Sequence, residues 1–154
     1  MLPRKINLPL FFAAIALAAG CGPPPPAKPL LYHIQVAGAA ATVEVASSPE
    51  SRAKGLSGRE KLEPDEGMLF LFPGTARVSF WMKDTHVPLS IAFITDDGKI
   101  TRIADMKPET LEPHDSGGPV QMALEMPSGW FERNGVRPGD AVVLPAEVRR
   151  LSAL

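Results

Sequence analysis

The chain begins with an apolar stretch, Leu8 to Ala19, that holds no charged residue and follows Arg4 and Lys5. It ends in Leu17-Ala18-Ala19-Gly20-Cys21, after which come Gly22 and the four prolines Pro23 to Pro26. Beyond Leu30 the pattern changes. Leu31-Tyr32-His33-Ile34-Gln35-Val36 and Ala41-Thr42-Val43-Glu44-Val45-Ala46 each alternate in part, with Gly38 and small residues between them. A two-residue period broken in this way predicts a β-hairpin. Ser47-Ser48-Pro49-Glu50 predicts a helix start, with Ser48 as N-cap, Pro49 at the first helical position and Glu50 in the first turn. That helix is expected to reach about Leu56 and to end at Gly55 or Gly58. The later apolar runs are short: Met68 to Phe72, Ala76 to Met82, Ile91 to Ile94, Ile100 to Ala104, Val120 to Met126 and Ala141 to Leu144. Turn signals punctuate them at Pro73-Gly74, Asp96-Asp97-Gly98, Gly117-Gly118-Pro119 and Pro138-Gly139-Asp140. Asp97-Gly98 between two β-rich runs is a strong hairpin signal. Many short strands with such turns predict a mainly β domain, a compact sandwich or barrel-like fold with one or two short helices. The second helix is placed near Ser128 to Asn134, and residues 105–119 are expected to form an irregular loop.

The first segment has the layout of a secretory signal, with positive charge, then an apolar run, then small residues at the cut. The run is too short for the roughly 20 residues that span a bilayer. Leu17 to Cys21 resembles a lipobox, in which signal peptidase II cuts before a lipidated cysteine, although Ala18 stands where leucine is commoner. An ordinary signal peptide and a core helix with a buried thiol are the alternatives. Charge, length and small residues together favour lipidation of Cys21. The chain then divides into a signal over 1–20, a lipidated cysteine with a proline-rich linker over 21–29, and a β domain over 30–154. Several acyl chains anchor a protein durably, so the membrane is the expected partner and the cell envelope the expected location. Gly22 rather than Asp follows Cys21, which favours the outer membrane, facing the periplasm, in a Gram-negative cell. Five prolines lie among the seven residues from Pro23 to Pro29, and such a segment acts as a stiff, extended spacer.

The formal net charge is −1; loss of residues 1–20 removes Arg4 and Lys5 and no acid, which takes it to −3. That balance argues against nucleic acid as a partner, since the phosphate backbone calls for a basic face. Cys21 is the only cysteine, so the domain has no disulfide, no thiol nucleophile and no cysteine metal site. It must be held by its core.

Several blocks follow a known pattern: Arg52 to Arg59, Gly67-Met68-Leu69-Phe70, Phe80 to Thr85, Val87 to Ile94, Ala123 to Gly129, and Gly139-Asp140. In this order and spacing they resemble the DUF192 family, a domain of unknown function, over roughly Val43 to Val143. The resemblance implies a compact β-sandwich or barrel-like fold, often secreted or lipid-anchored, and brings no established activity. Ser90 stands where many members have Asp after Pro-Leu.

The densest chemistry lies in Phe80-Trp81-Met82-Lys83-Asp84-Thr85-His86. In strand geometry Phe80 and Met82 share one face, Trp81 and Lys83 the other. Trp81 is then either a partly exposed stacking platform or a core residue beside a solvated strand end. Glu125, set among Met122, Leu124 and Met126, needs a partner if buried. Arg52 or Arg59 is expected to pair with Glu125 or Asp84, as an ion-pair network tying helix to sheet or as an anion-recognising cleft. Asp84 and His86 have the spacing for metal or acid–base work, but no third ligand stands at a recognisable distance, so neither metal nor cofactor is expected. Ser57, Ser79 and Ser90 have no nucleophile-elbow setting, and Gly55, Gly58 and Gly67 form no phosphate loop.

The sequence therefore predicts a lipid-anchored envelope domain, non-enzymatic, binding a small ligand, glycan or protein partner through Arg52, Arg59, Trp81, Lys83, Asp84 and Glu125. Two alternatives stand beside it. One is an envelope hydrolase using Asp84 or Glu125 as general acid or base. The other is a purely structural interaction domain.

Overall fold

A computed structural model describes residues 29–151. The signal segment, Cys21 and the linker prolines up to Pro26 lie outside the described residues.

The first hairpin joins β1 (Leu31–Val36) to β2 (Ala39–Ala46). Its loop is only Ala37-Gly38, both with positive φ, the conformation that matches the twist of two antiparallel strands. β2 therefore starts two residues earlier than its alternation suggests. β2 pairs in parallel with β3 (Glu66–Ala76), and a parallel pair requires a crossover rather than a tight turn. Residues 47–65 supply it and carry α1 (Pro49–Lys54). Ser48 caps α1, accepting from the Ser51 amide at 3.1 Å, and Ser51 returns the bond to the cap.

The rest of the main sheet consists of β5 (Leu89–Ile94), β6 (Ile100–Met106), β8 (Val120–Pro127) and β9 (Val142–Val143), in the order β6-β5-β8-β3-β2-β1-β9. The sheet curls into a half-barrel. Its two edge strands meet at one end, where Ile100 N donates to Asp140 O at 2.9 Å and Val142 N to Gly98 O at 2.8 Å. β4 (Ser79–Phe80) and β7 (His114–Asp115) form a separate two-stranded ladder. Two more helices follow, α2 (Trp130–Arg133) and α3 (Ala146–Leu151).

The mainly β, barrel-like class is the one the sequence predicts. Three details differ. The run Ala76 to Met82 is not one strand: Ala76 completes β3 past a bulge, and only Ser79–Phe80 forms a separate strand. The segment 105–119 is partly regular, since β6 extends to Met106 and β7 lies inside it. The third helix, α3, follows Pro145.

Both faces of the sheet are buried, which is why β5 and β8 read as nearly continuous apolar runs. The inner face packs Leu69, Leu71, Ala92, Ile94, Leu124 and Met126 against Trp130, Phe131 and Val148. The outer face packs Met68, Phe70, Ile91, Phe93 and Ala123 under Leu56 and Met82. At Gly67 the two central strands approach so closely that an added Cβ would strike the Glu125 carbonyl oxygen and lie 2.5 Å from the Met126 sulfur.

Candidate functional site

The outer face of the half-barrel is roofed incompletely. α1 and its exit cover it from one side, and the segment Val78 to Thr85 covers it from the other. Between them opens a cleft of about 610 Å³. Phe70 and Phe72 from β3 and Phe80 from β4 form its apolar walls. Their rings pack edge to face, with centroids 4.9 Å apart for Phe70 and Phe80 and 6.5 Å for Phe72 and Phe80, the arrangement the ring quadrupole favours.

After β4 ends the chain keeps strand-like alternation as far as Lys83, and Lys83-Asp84 then form a turn closed by Thr85 N donating to Met82 O at 3.2 Å. Met82 is fully buried, whereas Trp81 is 62% exposed and lines the mouth of the cleft. Lys83 and Asp84 line it too, and both are exposed. The segment is pinned on two sides. Gly58 N donates to Asp84 O at 2.8 Å from the α1 exit, and Met82 N donates to Thr110 O at 3.0 Å on the opposite flank. Asp84 is held at φ +53, a left-handed conformation that a non-glycine residue adopts only at some cost.

Glu125 projects from β8 toward the same space. Met68 on β3 and Ile91 on β5 stand opposite it. It is 4% exposed and lines the cleft. Among the described residues it has neither a hydrogen bond nor an ion pair. Burial alone pushes its carboxyl up to about 8, because a charge in an apolar surround loses its hydration.

The expected pairing of Glu125 or Asp84 with an arginine does not form. Arg52 donates from one guanidinium nitrogen to Ser47 O and, at 3.0 Å, to Leu71 O, and its guanidinium lies 5.5 Å over the Phe72 ring. It clamps α1 to β3, with its side chain along the cleft wall. Arg59 pairs with Glu44 of β2, and it is not among the cleft residues. Five of the six candidate residues, Arg52, Trp81, Lys83, Asp84 and Glu125, thus share one concavity, and Arg59 stands apart.

His86 lies outside the cleft, with Nδ1 3.0 Å from Glu109 and Nε2 3.9 Å from Glu60. His114 faces Phe80 across the β4–β7 ladder, and its Nε2 is buried without a hydrogen-bond partner. Among the described residues no group of three His, Cys, Asp or Glu side chains is placed to hold a metal ion. Sequence reasoning missed Lys54 and the walls Phe70 and Phe72. The spacing of two between those phenylalanines, on a strand that also carries Met68, was the available signal.

The DUF192 family model (uncharacterized ACR) matches residues 32–144. The chain belongs to the DUF192 family. Two solved structures are similar to it. One, from Sinorhizobium meliloti, is described as a candidate transcription regulator; it is 37% identical, with 75% of this chain and 95% of that one covered and a TM-score of 0.72. The other, a protein of unknown function from Novosphingobium aromaticivorans, is 33% identical, with 73% and 84% covered and a TM-score of 0.69. No curated protein matches the chain. In this DUF192 domain four of the blocks that carry the resemblance converge on the cleft: Arg52 to Arg59 as roof, Gly67 to Phe70 through Phe70, Phe80 to Thr85 as opposite wall, and Ala123 to Gly129 through Glu125. Ser90 is on the inner face instead. Its hydroxyl donates to Asp105 and accepts from Gly129 N at 2.9 Å, which joins β5, β6 and the start of α2.

Proposed function

We propose that this DUF192 domain is a non-enzymatic binding module, held at the cell envelope by lipid on Cys21, that takes a small ligand into the cleft beside Trp81. One observation carries the reading: a buried carboxyl without a partner, Glu125, faces an aromatic-walled cleft whose mouth exposes a tryptophan. Buried polar groups are nearly always satisfied, and an exposed indole beside a pocket suits a stacking ligand. Asp84 is exposed at the rim rather than buried beside Glu125, so the cleft offers no second carboxyl in the same environment. The regulator description of the Sinorhizobium meliloti protein is not carried over, because the charge of −3 left after residue 20 suits no phosphate backbone.

Titration with a panel of small glycans, peptides, organic acids and amines tests the reading. A binder is expected to shift the tryptophan emission and to lose affinity in Trp81→Ala. If every binder is indifferent to Trp81→Ala, the cleft is not the site. The anchor has its own test: mass spectrometry of the mature protein should find Cys21 acylated, and Cys21→Ser should release the protein from membranes.

A raised carboxyl pKa also suits a general acid, which favours a hydrolase as the second reading. It requires that Glu125→Gln abolish product release from envelope material while leaving binding intact.

A further inference from the structure

The chemistry of the cleft narrows the class of ligand, an inference that rests on the binding reading above. Its lining carries three cationic side chains, Arg52, Lys54 and Lys83, against one exposed acid, Asp84. Arg52 is engaged with backbone carbonyls yet keeps its charge. At the floor, Glu125 is more than nine-tenths buried and has no partner among the described residues. Around it, β3 and β5 contribute Met68 and Ile91, α1 contributes Arg52 and Lys54, and the Val78–Thr85 segment contributes Lys83 and Asp84. Desolvation keeps the Glu125 carboxyl protonated at neutral pH. Toward a ligand it is then an O–H donor, whereas an ionised carboxylate would repel any acceptor. Phe70, Phe80 and Trp81 supply a surface for a hydrocarbon or aromatic body.

We propose that the ligand of this cleft is a small organic anion. Its apolar body lies against Phe70, Phe80 and Trp81, its charge is held by the field of Arg52, Lys54 and Lys83, and one of its oxygens accepts a hydrogen bond from the Glu125 carboxyl. The opposite polarity, an ammonium seeking Glu125, passes three cations on the way in and requires Glu125 to give up its proton.

Three probes that share one body separate these cases: 4-phenylbutyrate, 4-phenylbutanol and 4-phenylbutylammonium. Each is titrated into the full-length protein between pH 6.5 and 9.5, and the emission of Trp81 is taken as the difference from Trp81→Phe. The butyrate is expected to bind about tenfold more tightly than the other two at pH 6.5. Its affinity should fall by up to about tenfold per pH unit above pH 8, as the donor is lost. Glu125→Gln, which keeps a donor, should retain the preference and lose that pH dependence, while the lysines common to both proteins cancel. If the ammonium binds best, or tightens as pH rises, the anion class is overturned and the cleft remains a binding site. If the butyrate binds best with the same pH profile in Glu125→Gln, the role given to Glu125 is overturned. If no probe moves the Trp81 emission at any pH, the binding reading fails together with this one.

Discussion

Replacing Glu125 by glutamine is expected to stabilise the protein at neutral pH, by an amount that depends on pH in a defined way. The carboxyl has an ordinary value of 4.5 and, buried, one of about 8. Below 4.5 it is protonated in both folded and unfolded chains, and burial exacts no ionisation penalty. Between 4.5 and 8 the unfolded chain releases the proton and the folded chain retains it, so stability falls as pH rises. Above 8 both forms are ionised and the loss levels off. At about 1.4 kcal/mol per pH unit the full loss is on the order of 5 kcal/mol, and about 3 kcal/mol of it is reached by pH 7. Against a typical domain stability of about 5–15 kcal/mol, that is large enough to measure.

The assay is urea unfolding of wild type and Glu125→Gln at 25 °C, from pH 4.5 to 9. Both proteins share every other titrating group, so the difference between them isolates this one. It should grow in favour of the variant from about pH 5, with a slope near 1.4 kcal/mol per pH unit, and become flat above about pH 8. A difference constant to within about 0.5 kcal/mol across that range would contradict a desolvated Glu125 carboxyl. It would mean that Glu125 is solvated or partnered in solution and ionises at its ordinary pH.

Two further substitutions probe the frame of the cleft. Arg52→Ala leaves the carbonyls of Ser47 and Leu71 without their donor and should cost about 2–3 kcal/mol; Arg52→Lys should recover little, since an ammonium does not stack on Phe72 as a guanidinium does. An unchanged urea midpoint in Arg52→Ala would show that the clamp is dispensable. Gly67→Ala sets a methyl group against the backbone of Glu125 and the sulfur of Met126, and a loss of about 2–4 kcal/mol in thermal unfolding is expected; full stability would mean that β3 and β8 separate more easily than their register implies.

Local features were legible in the sequence, and features that depend on register were not. The α1 start could be read because Ser48, Pro49 and Glu50 are its local signals and lie within one turn; the structure adds the reciprocal bonds between Ser48 and Ser51. The β5–β6 hairpin could be read because Asp97-Gly98 determines its own turn. The parallel pairing of β2 with β3 could not, because nothing local distinguishes a crossover helix from a helix inside a loop. The charge pairs failed for the same reason. Arg59 meets Glu44 because Glu44 stands opposite Met68 in the parallel ladder, a register that no spacing reveals, and Arg52 finds carbonyls before it finds an acid.

Glu125 required less than register. An uninterrupted run such as Met122-Ala123-Leu124-Glu125-Met126 marks a strand buried on both faces, so an acid within it is buried whichever way it points. The step that does not follow is that its partner belongs to the same chain. The cations nearest the cleft are either engaged elsewhere or exposed at its rim, and the carboxyl remains desolvated and unpaired. A sequence reading that assumes every buried charge is neutralised internally will assign such a residue to structure. Here desolvation protonates it instead, and the same burial that removes its charge leaves a hydrogen-bond donor turned toward an open cleft.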